Sequence, residues 1–204
     1  MGDENVTSEE MLTRGGQDWE VELSQLSTTY LAVPNDGIVT SRVQVEVPNR
    51  RAVVRRDTGA VLGIVSNRYE AVQNRDAFKF FDSVVGAGQA IYHTAGSLGA
   101  GERVWILAKL PETALIGGKD EVENYLLLMN GHDGKSAFRF FQTSIRVVCS
   151  NTFRFAEERA EGGLKLSHYR QINRKLVAED AREAVGSARL MFSAFLRTAE
   201  QLAQ

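Results

Sequence analysis

The sequence predicts an α+β fold: a mainly antiparallel sheet with a β-hairpin and two or three covering helices. Three observations predict it. Several runs alternate apolar and polar residues with a period of two, short glycine-bearing turns separate them, and a few stretches carry apolar residues at helical spacing. With 204 residues, 43% of them hydrophobic, the chain can bury one sizeable core and is too short to need two.

Residues 1–16 are polar, acidic and end in glycine, without either periodicity, so a flexible acidic leader is expected there, followed by one domain over 17–204. Trp19, Val21 and Leu23 share one parity, as do Val43, Val45 and Val47, and each set reads as a strand. Pro48-Asn49 then marks a turn. The run from Arg51 to Arg56, the Asp57-Thr58-Gly59 break and the run from Ala60 to Val65 form a hairpin.

Asn74 is placed to cap a helix in which Ala77, Phe78 and Phe81 recur at helical spacing before Gly86 stops it. Three strands are expected next, over 90–94, 103–110 and 122–129, with turns at Gly96 to Gly101 and at Gly117-Gly118. Both parities of the middle one are apolar (Trp105 and Leu107 against Val104, Ile106 and Ala108), which marks a central strand covered on both faces.

Phe138 to Thr143 reads as a further strand, and Ser144 as the cap of a helix from Ile145 to Glu158 with Val148, Thr152 and Phe155 on one stripe. A short strand at Leu164 to Leu166 precedes a long helix from about Asn173, whose inner face is expected to carry Leu176, Ala184, Ala188, Met191, Phe195 and Leu202. That helix reaches Gln204 without a capping signal, as expected of a trimmed chain or of a helix that docks on a further element.

Composition narrows the function classes. A net charge of -2 advertises neither a polyanion nor a membrane as partner, so any electrostatic signal is local. One cysteine, Cys149, cannot form an internal disulfide, and no apolar run is long enough to span a bilayer. With acidic residues where a secretory signal would carry basic ones, the chain is expected to be cytoplasmic, with no membrane contact.

No catalytic centre stands out, and the chain is expected to be no enzyme, with neither metal nor cofactor. Paired cysteines and histidines at i, i+4 are absent, and a lone cysteine such as Cys149 is more often a small core residue than a nucleophile. Asn130-Gly131-His132-Asp133-Gly134 is rich in turn formers, which explains it more simply than an acid/base pair does. Gly96, Gly99 and Gly101 precede a strand, so the helix N-terminus that a phosphate loop needs is missing. A hydrolase using His132, Asp133 and Cys149 is the remaining catalytic option.

The basic residues give a better lead. Between Lys135 and Lys175 the cations Lys135, Arg139, Arg146, Arg154, Arg159, Lys165, Arg170, Arg174 and Lys175 are opposed only by Glu157, Glu158 and Glu161. Phe138, Phe140, Phe141, Phe153 and Phe155 are interleaved with them. Single-stranded nucleic acid needs that combination of phosphate neutralisation and stacking faces. Alternation turns Phe138 and Phe140 inward and Arg139 and Phe141 to the opposite face; core rings beside solvated arginines are the plainer alternative. Arg50-Arg51 and Arg55-Arg56 add a second basic edge, of a kind that also deters edge-to-edge aggregation. Arg55, Arg56, Lys135, Arg139, Phe141, Arg146 and Arg154 are the candidate contacts to nucleic acid.

The string from Val54 to Asn74, with Arg55-Arg56-Asp57, Leu62-Gly63, Tyr69 and Gln73-Asn74 at its fixed points, resembles the phage/plasmid-like protein family, catalogued as the DUF932 domain of unknown function. Gly101-x-Arg103-Val104-Trp105, His132-Asp133-Gly134 and Arg146-Val147-Val148-Cys149-x-Asn151-Thr152 are similar to further segments of that family. The resemblance implies carriage on a phage, plasmid or other mobile element, and brings no activity or catalytic residue with it. The order of hairpin, helix, strands and helix is also similar to that of Rad fifty-two-type single-strand annealing proteins. That likeness implies a homo-oligomer holding single-stranded DNA between the hairpin and the body. A non-catalytic single-strand-binding or annealing protein is therefore the expected function, and a protein-interaction module modulating host defence or replication the alternative.

Overall fold

The computed structural model describes residues 6–32, 41–88, 90–116, 120–159, 163–168 and 178–202. Two antiparallel sheets carry the fold, one of three strands in the order β1-β2-β3 and one of five in the order β4-β5-β6-β7-β8. Within each sheet every strand pairs with its neighbour in sequence, so each sheet is a meander. The α+β expectation and its covering helices match this architecture.

Helix α1 (Ser8–Arg14) lies inside the stretch expected to be a flexible leader, and corrects that reading. Thr7 Oγ1 accepts from Glu10 N at 3.3 Å while Glu10 Oε2 accepts from Thr7 N at 3.1 Å, a reciprocal capping box. So short a helix is marginal alone. Met11 and Leu12, both buried in the main core, hold it in place.

Strands β1 (Val21–Ala32) and β2 (Ser41–Arg55) form a long ribbon, and β3 (Val61–Ser66) pairs with the second half of β2. Gly59, at φ 70°, closes the expected β2–β3 hairpin. Pro48-Asn49 is not the predicted turn: β2 runs through it, and the register shift between Gln25 and Ser27 absorbs the extra residues as a bulge. Asn49 takes a left-handed φ of 58° there, a conformation that asparagine tolerates.

Helix α2 (Asn74–Gly88) covers one face of the larger sheet. Phe80 and Phe81 meet Phe138 and Phe140 edge-on at 5.8 and 5.9 Å between ring centroids. Strands β4 (Ile91–Leu98), β5 (Arg103–Ile116), β6 (Asp120–Gly131), β7 (Phe138–Thr143) and β8 (Leu164–Leu166) supply that sheet. Gly96 belongs to β4 instead of the predicted turn. It stands opposite Trp105, whose Cζ2 would lie 2.7 Å from an added Cβ, so the absence of a side chain makes room for the indole.

The central-strand reading of β5 holds. Val104, Ile106 and Ala108 face the α2 side, while Trp105 and Leu107 join Tyr125, Leu127, Met129 and Phe141 in a second core under helix α3 (Ser150–Glu158). That helix starts later than predicted: Cys149, not Ser144, is the residue before its first turn, and Thr152 Oγ1 accepts from Val148 N and Cys149 N at 3.0 and 3.1 Å. Its inner face carries Phe153 and Ala156, and the predicted stripe members Val148 and Phe155 are exposed.

Helix α4 (Ala178–Leu202) buries Val185 and Phe192, seven residues and two turns apart, and leaves the predicted inner residue Phe195 exposed. Leu176, Arg170, Arg174, Lys175 and the Gly117-Gly118 turn lie outside the described residues, as do the helix start expected at Asn173 and the side chains of Ala184, Ala188, Met191 and Leu202. No helix among the described residues is long and apolar enough to cross a membrane.

Candidate nucleic-acid interface

The two sheets meet where the β6–β7 loop lies on β3. A Cβ on Gly63 would fall 2.6 Å from the Asp133 carbonyl carbon, and one on Gly134, at φ 72°, would fall 2.7 Å from Val65 Cγ1. The loop backbone therefore touches the strand backbone, and His132-Asp133-Gly134 is a docking turn. His132 is fully buried, with Nε2 2.8 Å from Asn74 Oδ1 and its ring 5.4 Å from that of Trp19. Burial pushes its pKa down to about 3, so the ring is neutral. Cys149, in contrast, is exposed beside Thr152. Nothing in this arrangement supports the hydrolase option.

Asp133 shapes the loop. Its carboxylate accepts from Lys135 N at 2.8 Å, Ser136 N at 2.6 Å and Ser136 Oγ at 2.7 Å. Partial burial works against its charge, yet these bonds hold its pKa below the usual carboxylate value. The turn they enforce carries the exposed Lys135.

Around that lysine the molecule is concave. One hollow, of about 240 Å³, is bounded by Arg50, Ser66, Lys135, Ser167 and His168. A second, wider one, of about 660 Å³, is bounded by Leu98, Glu102, Arg103, Ser150 and Arg154. Ile64 and Lys135 line both, so the two hollows adjoin along β3, one reaching β2 and the other α3, and together make a grooved face. Arg50 stands directly opposite Ser66 in the β2–β3 register, which puts both on the strand face that carries Ile64.

Of the seven candidate contacts, the structure brings Lys135 and Arg154 to this groove, and neither side chain has an acidic partner among the described residues. Arg50 is in the same condition. Arg55 is engaged elsewhere: Nε and Nη2 bind Asp57 at 2.7 and 2.9 Å, Nη1 donates to Ala100 O at 2.8 Å, and the guanidinium lies 4.4 Å from the Trp19 ring centre. Arg56 is paired with Glu20 and Glu22 at 2.8 and 3.3 Å. Arg139 lies over Phe141 and 3.9 Å from Glu157, whose other oxygen takes Arg103 at 3.1 Å.

Phe141 corrects the expectation of an open stacking face. It is 1% exposed, packed in the core beneath α3, and cannot receive a base. Phe155 is the exposed ring nearest in sequence to Arg154, with Arg159 3.6 Å above its centre. Arg146 is exposed and borders a different cluster, where Glu123 accepts from both Lys109 and Tyr125. His93 sits there at the β4 register shift, its ring 5.5 Å from Tyr125; burial first, then the Arg146 charge, lowers its pKa. Sequence reading missed that cluster and the Arg50–Ser66–His168 grouping. Cross-strand register was the only signal for Arg50 and Ser66, and it exists only once the hairpin is paired.

Among the described residues no three His, Cys, Asp or Glu side chains stand together as a metal site. No curated protein and no solved structure matches this chain. A family match does exist: Domain of unknown function (DUF932) aligns with residues 61–204. Lys135, Arg154 and His168 fall inside that span and Arg50 outside it. Running from β3 through α4, the match covers most of the chain, and the protein belongs to the DUF932 family.

Proposed function

We propose that this protein is a non-catalytic single-stranded nucleic-acid-binding or annealing protein of a phage or other mobile element, working as a homo-oligomer in the bacterial cytoplasm. One observation carries the reading: Arg50, Lys135 and Arg154, from β2, the β6–β7 loop and α3, border two adjoining hollows that share Ile64 and Lys135, with no carboxylate paired to any of the three among the described residues. Exposed Ile64 lines both and offers apolar contact to a base or sugar. Glu102 and Asp133 also line the groove, and Asp133 is already occupied by its own loop. The mobile-element setting draws on the sequence resemblance to phage/plasmid-like proteins and on the likeness of the expected element order to that of Rad fifty-two-type proteins.

A second reading, a protein-interaction module, has its own support in the outer half of the β1–β2 ribbon. Tyr30 pairs with Val43 and Thr28 with Val45 on one face, and Tyr30 and Val45 are open to solvent. Salt dependence separates the two. Three phosphate contacts on a single strand give a slope of roughly -2 in log K against log salt, or about a 20-fold loss of affinity between 50 and 200 mM. Fluorescence anisotropy with a labelled oligonucleotide measures it, and absent or salt-independent binding rejects the nucleic-acid reading.

A further inference from the structure

We infer that the outer half of β2 is a pairing edge for a second copy of the chain, two β2 strands joining antiparallel about a two-fold axis at Gln44. This names the surface behind the homo-oligomer of the reading above and rests on that part of it alone.

A strand edge is open there. β3 pairs with β2 only from Arg50 to Val54, so from Ser41 to Val47 β2 has β1 on one side and no strand on the other among the described residues. Unpaired N–H and C=O groups along such an edge are a template for a further strand. Ser27 to Leu31 of β1 point alternately to the two faces and are all exposed, so this half of the ribbon stands clear of the body. Pro48, with no N–H to donate, and Asn49, at φ 58°, end the run before the pairing with β3 begins.

The side chains of that edge are complementary to themselves. Arg42 is exposed with no acidic partner among the described residues, and exposed Glu46 accepts only from Gln25 Nε2, at 3.5 Å. Four residues apart on one strand, the two charges are separated by about 13 Å and do not reach each other. An antiparallel pair centred on Gln44 sets Arg42 opposite Glu46 of the partner subunit, and the two-fold repeats that ion pair. Val43 then faces Val45 of the partner subunit, which covers part of the Tyr30–Val45 face. Facing Cβ atoms stand about 4.5–5.5 Å apart in such a pair, where opposite charges and β-branched side chains stabilise.

The charges also fix the register. Moving the axis to Val43 or Val45 removes both ion pairs, and moving it to Arg42 or Glu46 sets like charges face to face. β1 has no such code: from Leu23 to Ala32 its side chains are uncharged. At its inner end, Gln73 Oε1 accepts from Val21 N at 3.0 Å and Gln73 Nε2 donates to Val21 O at 2.8 Å, which covers that part of the edge.

A thiol at the axis reads the register directly. Facing Cα atoms of an antiparallel pair lie about 4.5–5.5 Å apart, within the reach of a disulfide. In the full chain carrying Cys149→Ser, which removes the one native thiol, Gln44→Cys should oxidise to a covalent dimer. Val47→Cys, about 20 Å from its own copy in this pairing, should not. Sedimentation velocity at low salt reads the non-covalent dimer. Arg42→Glu or Glu46→Arg alone should weaken it at least tenfold, because each like-charged contact occurs twice, and the two together should restore it to within about threefold, all with unchanged thermal melts. Association indifferent to the single reversals, or Val47→Cys dimers forming as readily as Gln44→Cys dimers, overturns the β2 pairing and leaves the homo-oligomer standing. A protein that is monomeric at every concentration overturns both.

Discussion

His132 Nε2 lies 2.8 Å from Asn74 Oδ1, joining the end of β6 to the first turn of α2 across 58 residues of sequence. Both side chains are buried, and Asn74 Nδ2 donates onward to Gln17 O at 3.1 Å, which ties the N-terminal segment to the same point. The contact fixes the docking turn from behind through the Nε2 hydrogen, while protonation would put a charge and a hydrogen on Nδ1, which is buried with no partner among the described residues. The pKa of His132 is about 3 in the folded protein against 6.5 when unperturbed, so the unfolded chain binds the extra proton between those values. The stability this residue contributes is complete above pH 6.5 and is lost as pH falls toward 3. Between pH 7.5 and 5 the loss from His132 is about 2 kcal/mol. The pKa of His168, lowered chiefly by burial, pulls in the same direction. Urea melts at the two pH values measure the sum, and His132→Gln should flatten the dependence while lowering stability at pH 7.5.

Contact between the sheets predicts an asymmetric response to glycine replacement. Gly63→Ala places a methyl group 2.6 Å from backbone of the docking turn, which cannot give way as a side-chain tip can, so a destabilisation of about 1–3 kcal/mol is expected. Gly86, exposed in α2 with nothing within 4 Å of an added Cβ, is the comparison. Gly86→Ala should stabilise by up to about 1 kcal/mol, since alanine is the better helix former. Chemical denaturation of the two variants side by side reads both signs.

Much of the fold was legible because it rests on local pattern. The Asp57-Thr58-Gly59 hairpin and the doubly apolar β5 both follow from periods of two and a turn signal. What failed depended on partners far away in sequence. Thr7 and Glu10 spell a capping box, but helix α1 exists because Met11 and Leu12 find a core formed by later residues. The candidate site suffered most. Arg56 looked like a free cation, and it meets Glu20, 36 residues earlier, only after β1 pairs with β2. Phe141 looked like an outward ring by alternation, and it does point away from α2; the sequence did not say that α3 folds over that face. Arg50, Lys135 and Arg154 share a groove because two sheets dock, which no single window of sequence contains.

The ribbon carries a prediction of its own. Two-stranded ribbons are marginal in water, and beyond the bulge this one exposes Tyr30, Leu31 and Val45. A second copy of the chain covering the Tyr30–Val45 face would make the protein associate with rising concentration, as the proposed homo-oligomer requires. Sedimentation velocity from micromolar to hundreds of micromolar should show that association, and Tyr30→Ser with Val45→Thr should shift it to higher concentration. A single monomeric species across the range rejects oligomerisation through the ribbon.

The groove itself is tested by comparing cations that are free with cations already paired. Lys135→Gln with Arg154→Gln removes two of three proposed phosphate contacts, so the salt slope should fall from roughly -2 to about -0.7, and affinity at 100 mM salt should drop at least tenfold. Arg56→Gln removes the same charge from a site where Glu20 and Glu22 already neutralise it, and should change the slope little. Phe141→Leu, a substitution in the core beneath α3, should lower stability by about 1–2 kcal/mol without altering the slope, because the ring it removes has no face open to a base. If Arg56→Gln instead weakens binding as strongly as the double variant, the strand runs along the β2–β3 hairpin and not through the groove.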